Sequence, residues 1–140
     1  MIDIENEVFD DVATRLRAEY EGIYVSGDHA NKPKSFPAVY FEERDNYVFE
    51  RARSSSGIEN AVQVMYEADI YSNKRSGRKL EAKSIAATVD SVMVGLGFTR
   101  TSRTVVPSGY DSTIYRVVCR YEAVVGHRDD GGFLVYLNNP

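Results

Sequence analysis

The chain has 140 residues, enough for one domain with an ordinary core and no staples. Hydrophobic residues make up 43% and charged residues 27%, which excludes disorder over most of the length. A net charge of −4 and a pI near 5.2 argue against a domain whose main task is to grip nucleic-acid phosphates, which would carry a basic excess.

Residues 4–20 read as a helix. Ile4, Val8, Val12 and Leu16 recur every four residues, and Phe9, Ala13 and Tyr20 widen the same face. Asp3 is placed to cap it, Glu5 and Glu7 suit the positive end of its dipole, and Gly22 can close it. Ile23-Tyr24-Val25 is a short strand. Residues 26–37 form a loop whose Pro33 and Pro37 discourage helix. Ala38 to Arg44 reads as a strand, Asp45-Asn46 as a turn, and Tyr47-Val48-Phe49 as the returning hairpin arm.

The stretch 51–60, RARSSSGIEN, reads as a mobile polar loop. In residues 61–72 Val62, Val64, Tyr66, Ala68 and Ile70 alternate with Gln63, Met65, Glu67, Asp69 and Tyr71, the period of a strand with two unlike faces. After a turn at 72–77 a second helix runs to about Leu96. Its apolar face carries Ala82, Ile85, Ala86, Val89, Val92, Met93 and Leu96, and Gly97 suits its stop. Phe98 to Val106 and Ser112 to Val125 read as a hairpin around a turn at 107–111. Beyond the polar stretch 126–132, Phe133 to Leu137 reads as a short edge strand or a segment that docks on a neighbour.

The expected fold is therefore α+β, in the order α-β-β-β-β-α-β-β. A mainly antiparallel sheet of five to six strands carries two helices on one face, in a single domain over 1–140 with 126–140 as an extended tail. No apolar run approaches the roughly 20 residues that span a bilayer, and the acidic start lacks the basic opening and apolar core of a signal peptide, so no membrane role is expected. With one cysteine, Cys119, no intramolecular disulfide forms, which suits a reducing cytoplasm.

Catalytic constellations are missing from the residues. His29 and His127 have no helical HxxxH partner, and a single cysteine makes a four-ligand zinc site improbable. His29 beside Asp28 is the nearest thing to an acid–base pair, yet it sits where a polar loop is expected anyway. Cys119 shares a strand face with Val117 and Tyr121, the place of a buried, inert thiol. Lys74, Arg75, Arg78 and Lys79 sit near a helix start without the spacing that wraps phosphates, and read as a solvated turn. Glu42 and Glu43 are adjacent in a strand and point to opposite faces. The expectation is no enzyme, no cofactor and no metal.

Two features point to contacts. Leu80, Ala87 and Val94 fall at i, i+7 and i+14 on the second helix, away from its main apolar face, where a helix buried on one side should be polar. Scattered surface hydrophobes are common, so a narrow strip meeting another subunit and a chance alignment weigh equally. The 51–60 loop, with Arg51, Arg53, Ser54, Ser55 and Ser56, is a candidate for ordering on a partner. The ten tyrosines suit interfaces, and also suit strands, the plainer reading.

The run 64–100 resembles the middle of small tail-terminator and tail-completion proteins of long-tailed phages and Firmicute prophages. It carries the resemblance in Tyr66 to Lys74 at the strand end, Glu81-Ala82-Lys83 at the helix start, and Val92-Met93 to Gly97-Phe98 at its close. The opening MIDIENEVF, the strand FPAVYFEE at 36–43 and the late strand at 114–125 also fit, so about residues 1–125 are covered. The tail after Gly126 matches nothing in that pattern.

The resemblance implies an α+β subunit that assembles as a homo-oligomeric ring, commonly of six. That ring would bind the last tail-tube subunits, end tube polymerisation, and offer its other face to head-completion proteins of the connector. DNA passes the lumen as cargo. Such a protein is made in the bacterial host cytoplasm and ends in the virion at the head–tail interface. The alternatives are another head–tail adaptor, such as a head-closure or minor tail protein, and, more remotely, a small ligand-binding domain or enzyme.

Overall fold

The computed structural model describes residues 1–30, 32–48, 61–107, 111–127 and 132–136. In chain order these form α1 (Glu5–Glu19), β1 (Tyr24–Ser26), β2 (Ala38–Val48), β3 (Ala61–Ser72), α2 (Arg78–Gly95), β4 (Thr99–Val106), β5 (Tyr115–His127) and β6 (Phe133–Tyr136). The fold is α+β: two helices on a mixed sheet in the order β1-β2-β3-β5-β4, with β6 pairing the far end of β5 beside β4.

One local expectation is corrected. The pair Asp45-Asn46 is not a turn. β2 runs unbroken to Val48, with Asp45 and Asn46 in register with Met65 and Val64, and a bulge just before them leaves Arg44 as one extra residue against β3. Among the described residues three strands therefore precede α2, not four, and three follow it. The sheet is mainly antiparallel, as expected, and the short β1 pairs β2 in parallel, Tyr24 against Ala38.

The alternation in β3 does what its period requires. Val62, Val64, Tyr66, Ala68 and Ile70 lie on the helix-facing side with Val39 and Phe41 of β2, and with Val117, Cys119, Tyr121, Ala123 and Val125 of β5. Against them pack Val8, Val12, Ala13 and Leu16 of α1 and Ala82, Ile85, Ala86, Val89 and Met93 of α2. Each large aliphatic side chain buried there contributes about 1.5–3 kcal/mol. Tyr66 stands edge-on between Phe41 and Phe98, both centroids at 5.5 Å, a geometry favoured by the ring quadrupoles. Tyr20 hydrogen-bonds across the helix pair to Ser84 at 2.6 Å and Thr88 at 3.2 Å.

The helix ends follow from their sequence. At the start of α1 the Asp3 carboxylate accepts from the Glu5 N–H at 3.1 Å, although Ile4 holds the cap position itself. At the end of α2 the Phe98 N–H reaches back to the Met93 carbonyl at 2.9 Å and the Gly97 N–H to the Val94 carbonyl at 3.0 Å. This two-bond closure needs a residue at positive φ, and Gly97 sits at 99°.

Candidate assembly surfaces

The sheet face away from the helices is not simply solvated. Tyr40 and Tyr71 are buried there with Ala38 and Ile114, and Tyr24 and Phe36 pack on them. At the centre lies Asp69, 1% exposed. Arg116 grips it with two prongs, Nε to Oδ1 and Nη2 to Oδ2, both at 2.8 Å. His29 meets Oδ2 at 2.8 Å, and the Tyr71 hydroxyl donates to the same oxygen at 3.1 Å. A carboxylate held by a guanidinium only accepts, so His29 donates from Nε2. The Arg116 guanidinium also lies over the Tyr71 ring at 5.2 Å. Asp69 and Tyr71 raise the Arg116 pKa further, the Asp69 hydrogen bonds most, against the opposing effect of burial.

This cluster pins the 26–37 loop to the sheet. The loop histidine works with Asp69, forty residues away, and not with its neighbour Asp28. Both oxygens of the Asp69 carboxylate are engaged, which holds Arg116, His29 and Tyr71 in place around it. Farther along the same face Glu67 and Arg120 pair at 3.0 Å and Glu42 and Arg44 at 2.8 Å.

At the α1 start the fold gathers Asp3, Glu5 and Glu43, with carboxylate oxygens within 4.8 Å of one another. No local pattern announces this, since Glu5 and Glu43 are 38 residues apart. The three are internally engaged. Glu5 Oε2 accepts from the Glu43 N–H at 2.8 Å, and Glu43 Oε1 accepts from Tyr66 at 3.0 Å and Asn46 at 3.4 Å. Burial raises the Glu43 pKa above its ordinary 4.5, the hydrogen bonds from Tyr66 and Asn46 pull it back, and the charges of Asp3 and Glu5 add to the rise. Glu42 faces the other way, toward Arg44, as the strand period requires.

Cys119 is buried in the core, and burial pushes its thiol up to about 11, which leaves little thiolate for nucleophilic work. Lys74, Arg75 and Lys79 are exposed and Arg78 half-buried before α2. His127 lines an open cleft of about 820 Å³ between the α1 start, the end of α2 and β6, whose apolar walls include Ile2, Ile4, Leu96 and Phe133.

The strip on α2 faces outward. Leu80 is 74% exposed and Val94 55%, with Ala87 exposed between them. Val94 also lines the cleft, so the end of the strip meets the cleft there. Arg51, Arg53, Ser54, Ser55 and Ser56 lie outside the described residues. Tyr40, Tyr66, Tyr71 and Tyr121 are buried, so these four tyrosines serve the core and not an outer surface. Among the described residues no helix is long and apolar enough to cross a membrane. No protein-family model matches the chain, and no curated protein matches it either.

Proposed function

We propose that the protein is a non-catalytic virion subunit that assembles as a ring, commonly of six, at the head end of a phage or prophage tail tube. It ends tube growth there and presents a surface to the head-completion proteins, while DNA passes through the lumen. The observation that carries the reading is the exposed line Leu80, Ala87 and Val94 on the back of a helix whose other side is already buried. A free monomer gains nothing from three apolar residues aligned there, whereas a subunit contact removes them from water. The resemblance of residues 64–100 to tail terminators spans this same helix.

The side chains with chemical potential are consistent with a structural task. His29 is spent on Asp69, and Cys119 is enclosed in the core. The net charge of −4 disfavours tight adhesion to passing DNA. The test is electron microscopy of the purified protein alone and with tail tubes of its phage. Rings, or tubes capped at one end, are expected. A protein monomeric in both settings contradicts the reading.

A further inference from the structure

β4 closes one side of the sheet, and among the described residues nothing pairs its outer edge. Such an edge presents unpaired main-chain N–H and C=O groups that invite a partner. Both faces of the strand are open as well, with only Ser102 and Val106 half-buried and Val105 56% exposed. Its charged residues are Arg100 and Arg103, without an acid. Arg100 is held by Asp90 at 3.0 Å. Arg103 is exposed, and among the described residues it has no ion-pair partner. Its register opposite Cys119 puts it on the helix-facing side.

The other side of the molecule has the opposite character. The Glu5 carboxylate occupies the Glu43 N–H, so the first turn of α1 closes the β2 edge at that point. On the helix-facing side it offers negative charge, Asp3, Glu5 and Glu43 crowded together; the one cation beside them on β2, Arg44, is paired with Glu42. Glu43 reaches Tyr66 and therefore lies on the same helix-facing side as Arg103. Two β4 edges meeting symmetrically set Arg100 and Arg103 of one copy against the same pair of the other, which is repulsive. A β4 edge meeting the acidic side pairs opposite charges.

We propose that copies of this chain associate head to tail, the β4 edge of one set against the Asp3–Glu5–Glu43 side of the next, with Arg103 as the cation that enters the acidic group. The proposal rests on the ring reading and deepens it, because a head-to-tail contact that closes on itself is what makes a ring. It also gives the crowded carboxylates a counter-charge, since among the described residues no ion pair reaches them.

The experiment compares Arg103→Glu, Arg103→Lys and the double variant Asp3→Arg/Arg103→Glu with wild type by native mass spectrometry and sedimentation, alone and with tail tubes. Arg103→Lys keeps association. Arg103→Glu moves the association midpoint to at least about tenfold higher concentration, as expected for loss of a close interfacial charge pair. The double variant recovers association, since the charges are exchanged and not lost. If Asp3→Arg loosens the α1 start, seen as a lowered melting temperature, the contrast between the two single variants decides alone, because Arg103 is exposed and outside the core. Rings from Arg103→Glu at wild-type concentrations overturn this contact and leave the ring reading standing. A two-fold dimer as the wild-type end state overturns head-to-tail association. A wild type monomeric in every setting overturns the ring reading and this contact with it.

Discussion

Arg116 grips Asp69 from a diagonal position: the residue directly across from Asp69 on β5 is Val118, and Arg116 lies two residues along the same face. The diagonal lets the guanidinium meet both carboxylate oxygens squarely, the bidentate geometry that suits arginine and not lysine. The pair then serves as the floor on which His29 fastens the 26–37 loop.

Removing the cation from this pair leaves a buried, uncompensated carboxylate. Arg116→Ala is expected to cost about 3–5 kcal/mol in chemical denaturation. The double variant Asp69→Asn/Arg116→Met recovers much of that loss, because no charge remains stranded. If the double variant is as unstable as Arg116→Ala, the clamp account fails.

His29→Ala removes one charge-assisted hydrogen bond from a side chain one-third exposed. The expected cost is smaller, about 1–2 kcal/mol. Amide hydrogen exchange should quicken in the described loop residues before Pro37, with β3 and β5 unchanged. Uniform loss of protection across the sheet would contradict a local clamp.

The Glu43 carboxyl, raised above 4.5 chiefly by burial, holds its proton more readily folded than unfolded. Its contribution to stability therefore falls as pH rises from 4.5 through the folded value, and is constant above. Glu43→Gln keeps an acceptor for Tyr66 and removes the charge. At neutral pH the variant should melt at or above wild type, and its advantage should shrink as pH falls toward 4.5. A variant markedly less stable at neutral pH would show that the charge itself is needed.

Gly97→Ala places a side chain at a φ of 99° in the closure of α2. The expected loss is about 1–2 kcal/mol in thermal or chemical unfolding, with helix content retained. An unchanged midpoint would mean that the end of α2 refolds around the substitution.

Much of the frame was legible because it depends on short-range periodicity. The buried face of α2, the two faces of β3 and the enclosed Cys119 all follow from spacing along one element, as does the outward position of Leu80, Ala87 and Val94. What was missed depends on residues far apart in sequence. Asp and Asn favour turns locally, so Asp45-Asn46 did not reveal that pairing with Met65 and Val64 of β3 carries β2 on. The parallel pairing of β1 has no signature in three residues. Asp69 looked like an ordinary solvent-facing residue of an alternating strand. Only the return of the 26–37 loop and the reach of Arg116, 47 residues away, bury it.

The α2 strip predicts a surface effect without a folding effect. Val94→Glu lies at an exposed position, so its melting temperature should stay near wild type while self-association is lost. Unchanged association would remove the strip from the contact.

We propose above all that this chain caps a tube as a ring, and images of the 15.8 kDa protein mixed with phage tail tubes test the proposal most directly. The account predicts tubes of uniform end structure carrying a ring at one terminus, with further tube growth stopped at that end. Bare tube ends and a protein that remains monomeric beside them would contradict it.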